Sequence, residues 1–187
     1  MTAPKYPKVE LRTQRLLLRE TLATDAPGLH EVYSDAEVMR YGSRPPHASV
    51  EETTEVLAGR IVEETNGTTN FSMLLLPSYR PIGNIGLYKA GESEIGFMLL
   101  RSEWRKGLVS EALKRLLPYY FDELGMEDIT ADCDPRNLAS VGLLKKWGFE
   151  ETGTEEKTFF VGGEWCDSVY LRLKKENYLH SITAKQS

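Results

Sequence analysis

Between Thr69 and Leu100 three short apolar runs follow one another with little between them: Thr69 to Leu76, Pro81 to Tyr88 and Ser93 to Leu100. The joints, Pro77-Ser78-Tyr79-Arg80-Pro81 and Ala90-Gly91-Glu92, are rich in turn-forming residues. Strands this close leave no room for parallel crossovers, so the pattern predicts an antiparallel meander. Upstream, residues 15 to 20 read as a strand, and Thr24-Asp25 as the N-cap of a helix carrying Leu29, Val32 and Tyr33. A second helix is expected from about Ser49 to Asn66, stopped by Asn66-Gly67. Downstream, the apolar stripe of Ala112, Leu113, Leu116, Leu117, Tyr120, Phe121 and Leu124 predicts a helix over about 108–124, kinked or ended early by Pro118. Ile129 to Asp134 reads as a strand and Leu138 to Trp147 as a helix terminated by Gly148. Phe149 to Leu173 reads as two strands joined around Gly162-Gly163. The order β-α-α-β-β-β-α-β-α-β-β is neither doubly wound nor all-β. It predicts an α+β fold with a mixed, mostly antiparallel central sheet flanked by helices.

At 187 residues and 41% hydrophobic content the chain suits one domain, expected over 9–178 with terminal extensions at 1–8 and 179–187. Net charge is −5 and the basic residues are scattered, so no nucleic-acid partner is expected. The runs of apolar residues fall far short of the ~20 that span a bilayer, so no membrane partner is expected either. Two cysteines, Cys133 and Cys166, and a start without the apolar core of a secretory signal point to a reducing cytoplasm. His30, His47 and His180 share no metal-ligand spacing, and neither cysteine has a Cys-x-x-Cys partner, so neither metal nor thiol catalysis is expected. Trp104, Trp147 and Phe149 are expected in the core.

The segment from Glu94 to Ala112 carries the chemistry. It delivers a strand through a short basic loop with one glycine, Arg105-Lys106-Gly107, into a helix. The first N–H groups of a helix lack intrahelical partners, and the dipole favours negative charge there, so such a junction can hold a pyrophosphate. Arg105 and Lys106 would add countercharge. A single glycine before a helix is also an ordinary tight turn. The spacings of a Walker loop and of a dinucleotide fingerprint are both absent.

In order and spacing these pieces resemble the GCN5-related N-acetyltransferases (GNAT), in particular the ribosomal-protein-alanine acetyltransferase group. The resemblance runs from about Val9 to Tyr178 and rests on Leu11-x-Thr13-x-Arg15-Leu16-x-Leu18-Arg19, Asp25-Ala26 and Asp35-Ala36-Glu37-Val38-Met39-Arg40-Tyr41. It continues through Ile82-Gly83, Glu94-Ile95-Gly96-Phe97, Trp104-x-x-Gly107-x-x-Ser110-Glu111-Ala112, Asn137-x-x-Ser140, Gly148-Phe149, Gly163 and Asp167. It implies the GNAT acyl-CoA acyltransferase fold and transfer of an acetyl group from acetyl-CoA to a primary amine. The acceptor would be a protein N-terminus, an amino acid or polyamine, or another amine-bearing small molecule. The strand from Glu94 to Leu100 would splay from its neighbour and offer main-chain groups near Met98 and Leu99 to the pantetheine arm. Arg105, Lys106, Gly107, Leu108, Val109 and Ser110 would hold the pyrophosphate, and Asn137 would contact CoA while also suiting an N-cap. Val109 replaces the usual alanine or glycine, and Arg101 a frequent proline; neither change removes a backbone donor.

Acetyl transfer needs a neutral amine and a proton source for the departing thiolate. Glu94 stands where several members of the superfamily carry a base, on the same face as Gly96 and Met98; a solvated strand-end glutamate is the plainer reading. Many members take the acid from a tyrosine seven residues after the helix asparagine, but Leu144 stands there. Ser140 matches the group's serine near the thiolate, and equally suits capping chemistry. The acceptor site is expected between the loop around Asp35 to Pro46 and the hairpin around Gly162 to Asp167, which Asp167 would orient. Glu51, Glu52, Glu55, Glu63 and Glu64 would draw in a cation or form a solvated helix face. The alternative function is a noncatalytic acyl-CoA-binding sensor or interaction module. A monomer and a homodimer both fit the sequence.

Overall fold

The structure, a computed structural model, describes residues 9–63, 70–88 and 93–178. The two terminal extensions, the Asn66-Gly67 stop and the Ala90-Gly91-Glu92 turn lie outside these residues. The chain forms β1 (Glu10–Arg12), β2 (Leu16–Glu20), α1 (Ala26–Tyr33), α2 (Ala36–Met39), α3 (Val50–Glu63) and β3 (Asn70–Leu75). It continues as β4 (Arg80–Tyr88), β5 (Glu94–Leu99), α4 (Leu108–Pro118), β6 (Asp128–Cys133), α5 (Leu138–Lys146), β7 (Glu150–Val161) and β8 (Glu164–Lys174). Eight strands make one mixed sheet in the order β1-β2-β3-β4-β5-β6-β8-β7. Every neighbouring pair is antiparallel except β5 and β6. The α+β expectation and the antiparallel meander of β3, β4 and β5 both hold.

Alternation along β5 divides its side chains between two layers. Ile95 and Leu99 join the main core, which α4 fills with Ala112, Leu113, Leu116 and Leu117. Met98, on the opposite face, reaches a smaller cluster of Ala26, Leu29, Tyr33, Met39 and Leu57 from α1, α2 and α3. Pro118 ends α4 as expected, because proline has no N–H to continue the ladder. The chain then loosens into a π turn over Tyr119–Glu123, with Leu124 N–H donating to Tyr119 O at 3.0 Å. Tyr120 and Phe121 remain fully buried there.

Three expectations need correction. β1 and α2 are additional elements, of three and four residues. Asp25 does not cap α1: a 3-10 turn, Ala23–Asp25, leads in, and the Asp25 carboxylate turns back to the sheet. It accepts from Arg19 at 2.7 and 2.8 Å, from Leu22 N–H at 2.9 Å and from Ser72 Oγ at 2.9 Å. Burial pushes this carboxyl up, but those donors together outweigh it and hold it below the usual carboxylate range. Trp104 is exposed rather than core: its indole N–H donates to the Leu99 carbonyl at 2.8 Å, which holds the ring at the rim of the core. Phe149 is buried and Trp147 packs against the core in part. Among the described residues no helix is long and apolar enough to cross a membrane.

Candidate active site

β5 pairs with β4 along its whole length, from Glu94↔Tyr88 to Leu99↔Gly83, but meets β6 at the single register position Glu94↔Thr130. Thr130 N–H donates to Ser93 O at 2.8 Å, and beyond that point the strands diverge. The main-chain groups that face the gap follow from alternation. Ser93 O points toward β6, so Ile95, Phe97 and Leu99 do as well; Leu100 N–H donates to Ile82 O, so Met98 faces β4. A Cβ placed on Gly83 would lie 2.2 Å from the Met98 carbonyl, which agrees with that orientation. Met98 therefore brings its side chain to this region and directs its main chain at β4. Leu99 faces the gap, with its carbonyl held by Trp104. Of the gap-facing residues, sequence reasoning named Leu99 and missed Ile95 and Phe97, which the strand period alone would have found. Backbone groups without a strand partner suit an extended, hydrogen-bonding ligand laid between the strands.

The chain leaves β5 through a 3-10 turn, Arg101–Glu103, and enters α4 through Arg105 and Gly107, both left-handed at φ 60° and 77°. Gly107 occupies the N-cap and offers no side chain to cap the helix. The first bond of the helix is Glu111 N–H to Gly107 O at 2.9 Å, so the N–H groups of Leu108, Val109 and Ser110 open the first turn. Glu111 anchors this end to the β1–β2 turn. It accepts from Thr13 Oγ1 at 2.6 Å, Arg15 N–H at 2.8 Å and Arg15 Nε at 2.6 Å, while Arg15 Nη1 reaches Lys106 O at 2.9 Å. Burial raises the Glu111 carboxyl, and these bonds outweigh it and hold it low. Ser110 Oγ accepts from Trp147 Nε1 at 3.1 Å, tying the same turn to the end of α5. Arg105 is exposed on the loop, and Lys106 pairs with Glu103 at 2.9 Å.

Asn137 is the N-cap of α5, its side chain accepting from Ser140 N–H at 3.2 Å, so Asn137 fills the capping role the sequence allows. The Ser140 side chain is partly exposed, and Leu144 is buried. Between β6 and α5 the Arg136 guanidinium forks onto Asp134, 2.6 Å away at its shortest, and reaches Glu164 of β8 at 3.1 Å. Burial raises the Asp134 carboxyl, but the Arg136 donors outweigh it and hold it low. Burial, with the carboxylates of Asp132, Glu94 and Asp134, pushes the Cys133 thiol up to about 12. Thiolate is the reactive form, so alkylation of Cys133 by iodoacetamide at pH 7.5 is expected about 10³-fold slower than that of free cysteine. Peptide mass spectrometry over a time course measures this rate; labelling at the free-cysteine rate would contradict it.

The two segments expected around the acceptor are both tied to this site. Asp35 caps α2 by accepting from Glu37 N–H at 2.9 Å, and it pairs with Arg101 at 2.9 Å. The departure at Arg101 thus joins the Asp35–Pro46 loop to the start of the α4 loop. The guanidiniums of Arg40 and Arg136 lie 5.3 and 6.0 Å from the Tyr41 ring centre, so Arg136 touches that loop on one side and the hairpin's Glu164 on the other. Asp167 accepts from Lys157 N–H at 2.9 Å, where Lys157 turns left-handed inside the irregularity of β7. Near the hairpin tip Phe160 and Trp165 are exposed, with ring centres 5.5 Å apart. On α3, Glu52 accepts from Ala48 N–H at 2.7 Å and Glu51 is exposed. Those two belong to the helix start; the Glu63 side chain and Glu64 lie outside the description. His30 and His47 each place Nδ1 2.9 Å from Thr53 Oγ1.

A family profile described as an acetyltransferase (GNAT) domain matches residues 15–150. The N-acetyltransferase YnaD of Bacillus subtilis (strain 168) is 31% identical over 173 residues, which cover 91% of this chain and 99% of that protein. The crystal structure of a GNAT-family acetyltransferase from Bacillus anthracis superposes with a TM-score of 0.78 at 30% identity, covering 90% of this chain and 99% of that one. RimL, a ribosomal L7/L12 alpha-N-protein acetyltransferase solved with coenzyme A, shares the fold with a TM-score of 0.78 at 20% identity, covering 89% and 98%.

Proposed function

The chain belongs to the acetyltransferase (GNAT) family of N-acetyltransferases, and we propose that it moves an acetyl group from acetyl-CoA to a primary amine by direct attack in a ternary complex. The observation that carries this reading is the divergence of β5 and β6 immediately after Glu94↔Thr130, with the uncapped first turn of α4 beyond it. Acetyl-CoA supplies the acetyl group as a thioester. The N–H groups of Leu108, Val109 and Ser110 receive its pyrophosphate, with Gly107 keeping the approach open and Arg105 and Lys106 giving countercharge. Phe97 and Leu99 face the pantetheine from the β5 edge, and Asn137 meets CoA from the start of α5. Glu94 takes the proton of the acceptor ammonium, directly or through a bound water, which frees the lone pair for attack. The Ser140 hydroxyl hydrogen-bonds the departing sulfur, a role opened by Leu144 standing where an acid tyrosine is common. The acceptor enters between the Asp35–Pro46 loop and the β7–β8 hairpin.

Release of free thiol from acetyl-CoA, followed across a panel of primary amines, tests this directly. Turnover with at least one acceptor is expected. CoA binding without turnover on any amine would instead identify a noncatalytic acyl-CoA sensor. Ser140→Ala is expected to lower kcat about 10²-fold while the Kd for CoA stays within twofold, because only the bond to the leaving sulfur is removed. Stopped-assay kinetics with calorimetric CoA binding check it, and an unchanged kcat would place the acid elsewhere.

A further inference from the structure

Asn84 stands at the centre of the sheet, between Ser72 of β3 and Met98 of β5, on the face covered by α1, α2 and α3. It is 2% exposed. Its Nδ2 donates to the Tyr88 hydroxyl, but among the described residues its Oδ1 has no partner. A buried amide oxygen without a donor is destabilising, and native folds seldom leave one. Neighbouring polar groups on this face do find partners: Ser72 reaches Thr21 and Asp25, and Asp25 holds Arg19. On this face of the sheet, among the described residues, the Asn84 oxygen is the buried side-chain acceptor left without a donor.

Its neighbours connect it to the candidate site. Tyr88 is the register partner of Glu94, and one edge of its ring lies against Gly96, where a Cβ would come within 2.8 Å of Cε2. Only glycine leaves that space. The ring thus runs from the Glu94 position back toward Asn84, and Glu94, Tyr88 and Asn84 line one strip of the sheet beside the β5–β6 gap. Met98 lies next to Asn84, is partly exposed, and extends its methyl to within 3.1 Å of the place a Cβ on Gly42 would take. An unbranched thioether of this kind adapts to what it covers. Glu94 and the position facing Asn84 are four residues apart on β5, or about 13 Å between backbones, a span that side chains shorten.

We propose that Asn84 Oδ1 accepts a second N–H of the acceptor, several atoms from the amine whose proton goes to Glu94. The site then selects extended acceptors bearing a further amine or amide N–H over simple monoamines. This rests on the acetyl-transfer reading above and sharpens it. Polyamines and peptide N-termini share that chemistry, and separate arms of one experiment distinguish them.

In the first arm, purified full-length enzyme is assayed with acetyl-CoA and butylamine, 1,4-diaminobutane or spermidine. In the second, the acceptor is a tripeptide with N-terminal serine, or its analogue methylated on the second amide nitrogen. The wild type is expected to favour the acceptor with the additional N–H by 10-fold or more in kcat/KM, in one arm or both, and the responding arm names the source. Asn84→Leu is expected to abolish that preference through the acceptor KM. Its acetyl-CoA KM should stay within twofold and its Tm should change little, since the unpaired oxygen and the bond to the Tyr88 hydroxyl are lost together. Asn84→Asp keeps an accepting oxygen and is expected to keep the preference. Retention of the full preference by Asn84→Leu would overturn the proposal. So would a lower Tm in both variants with equal loss on every acceptor, which marks a structural amide. A wild-type enzyme that turns over amines without any such preference would sink this inference alone, whereas no turnover on any amine would remove the acetyl-transfer reading as well.

Discussion

Glu94→Gln is expected to lower kcat/KM for the amine by about 10²–10⁴-fold at neutral pH, the range that loss of a positioned base commonly produces. The amide is nearly isosteric and Glu94 is only partly buried, so the register with Tyr88 and Thr130 should survive and the Tm should change little. The direction with pH distinguishes a base from a structural carboxylate. Without Glu94 the ammonium must lose its proton to solvent, and the neutral fraction of a primary amine grows tenfold per pH unit below its own pKa. The variant's rate should therefore climb toward that of the wild type as pH rises. Parallel pH profiles of kcat/KM measure this; two profiles separated by a constant factor would mean that Glu94 does not take the proton.

Gly83→Ala is expected to be the most disruptive small substitution in the sheet. The new methyl would lie 2.2 Å from the Met98 carbonyl, 2.8 Å from Met73 Cε and 3.0 Å from Leu99 Cα. A methionine tip can move aside, but two of those neighbours are the β5 backbone. Relief requires β4 and β5 to part, at a cost of about 3 kcal/mol, the upper end for overpacking. For a chain of this size that is a Tm loss of roughly 6–12 °C. The displaced stretch is the one whose outer edge faces the β5–β6 gap, so the KM for acetyl-CoA should rise as well. Gly59→Ala on α3, where none of the described residues lies within 4 Å of the new methyl, is the matched control, and helix propensity predicts stabilisation by up to about 1 kcal/mol. Differential scanning calorimetry of the pair, with acetyl-CoA titration kinetics, tests both parts. An unchanged Tm for Gly83→Ala would contradict the close approach.

Most of the architecture was legible because it rests on local pattern. The meander declares itself by three closely spaced runs, and α4 by a stripe that Pro118 ends. β1 and α2 escaped because elements of three and four residues show no period, and one buried side chain, Leu11 or Met39, carries each. Asp25 misled for another reason: a carboxylate before a helix reads as a cap, yet a nearby Arg19 and Ser72 compete for it and win. Trp104 looked like core because large aromatic residues usually are, and nothing local reveals that its N–H is committed to the Leu99 carbonyl.

The site divides in the same way. The α4 junction could be read from one glycine in a basic loop, since helix ends have local chemistry. The divergence of β5 and β6 followed only from the resemblance, because it depends on pairing between strands more than 30 residues apart. The partners that set the site's shape, Glu111 on Thr13 and Arg15, Arg101 on Asp35, and Arg136 between Asp134 and Glu164, are equally long-range or cross loops. No periodicity encodes them.

The irregular strand β7 has a further consequence for the molecule in a crowded cell. It is the last strand of the sheet, twelve residues long, and its outer N–H and C=O groups offer another chain a template for strand addition. Glu150, Glu151, Glu155, Glu156 and Lys157 line it with charge, and the left-handed Lys157, pinned by Asp167, breaks its register between Glu155 and Phe159. An incoming strand meets an edge that is both charged and kinked, so the bond that shapes the hairpin also guards the sheet against aggregation.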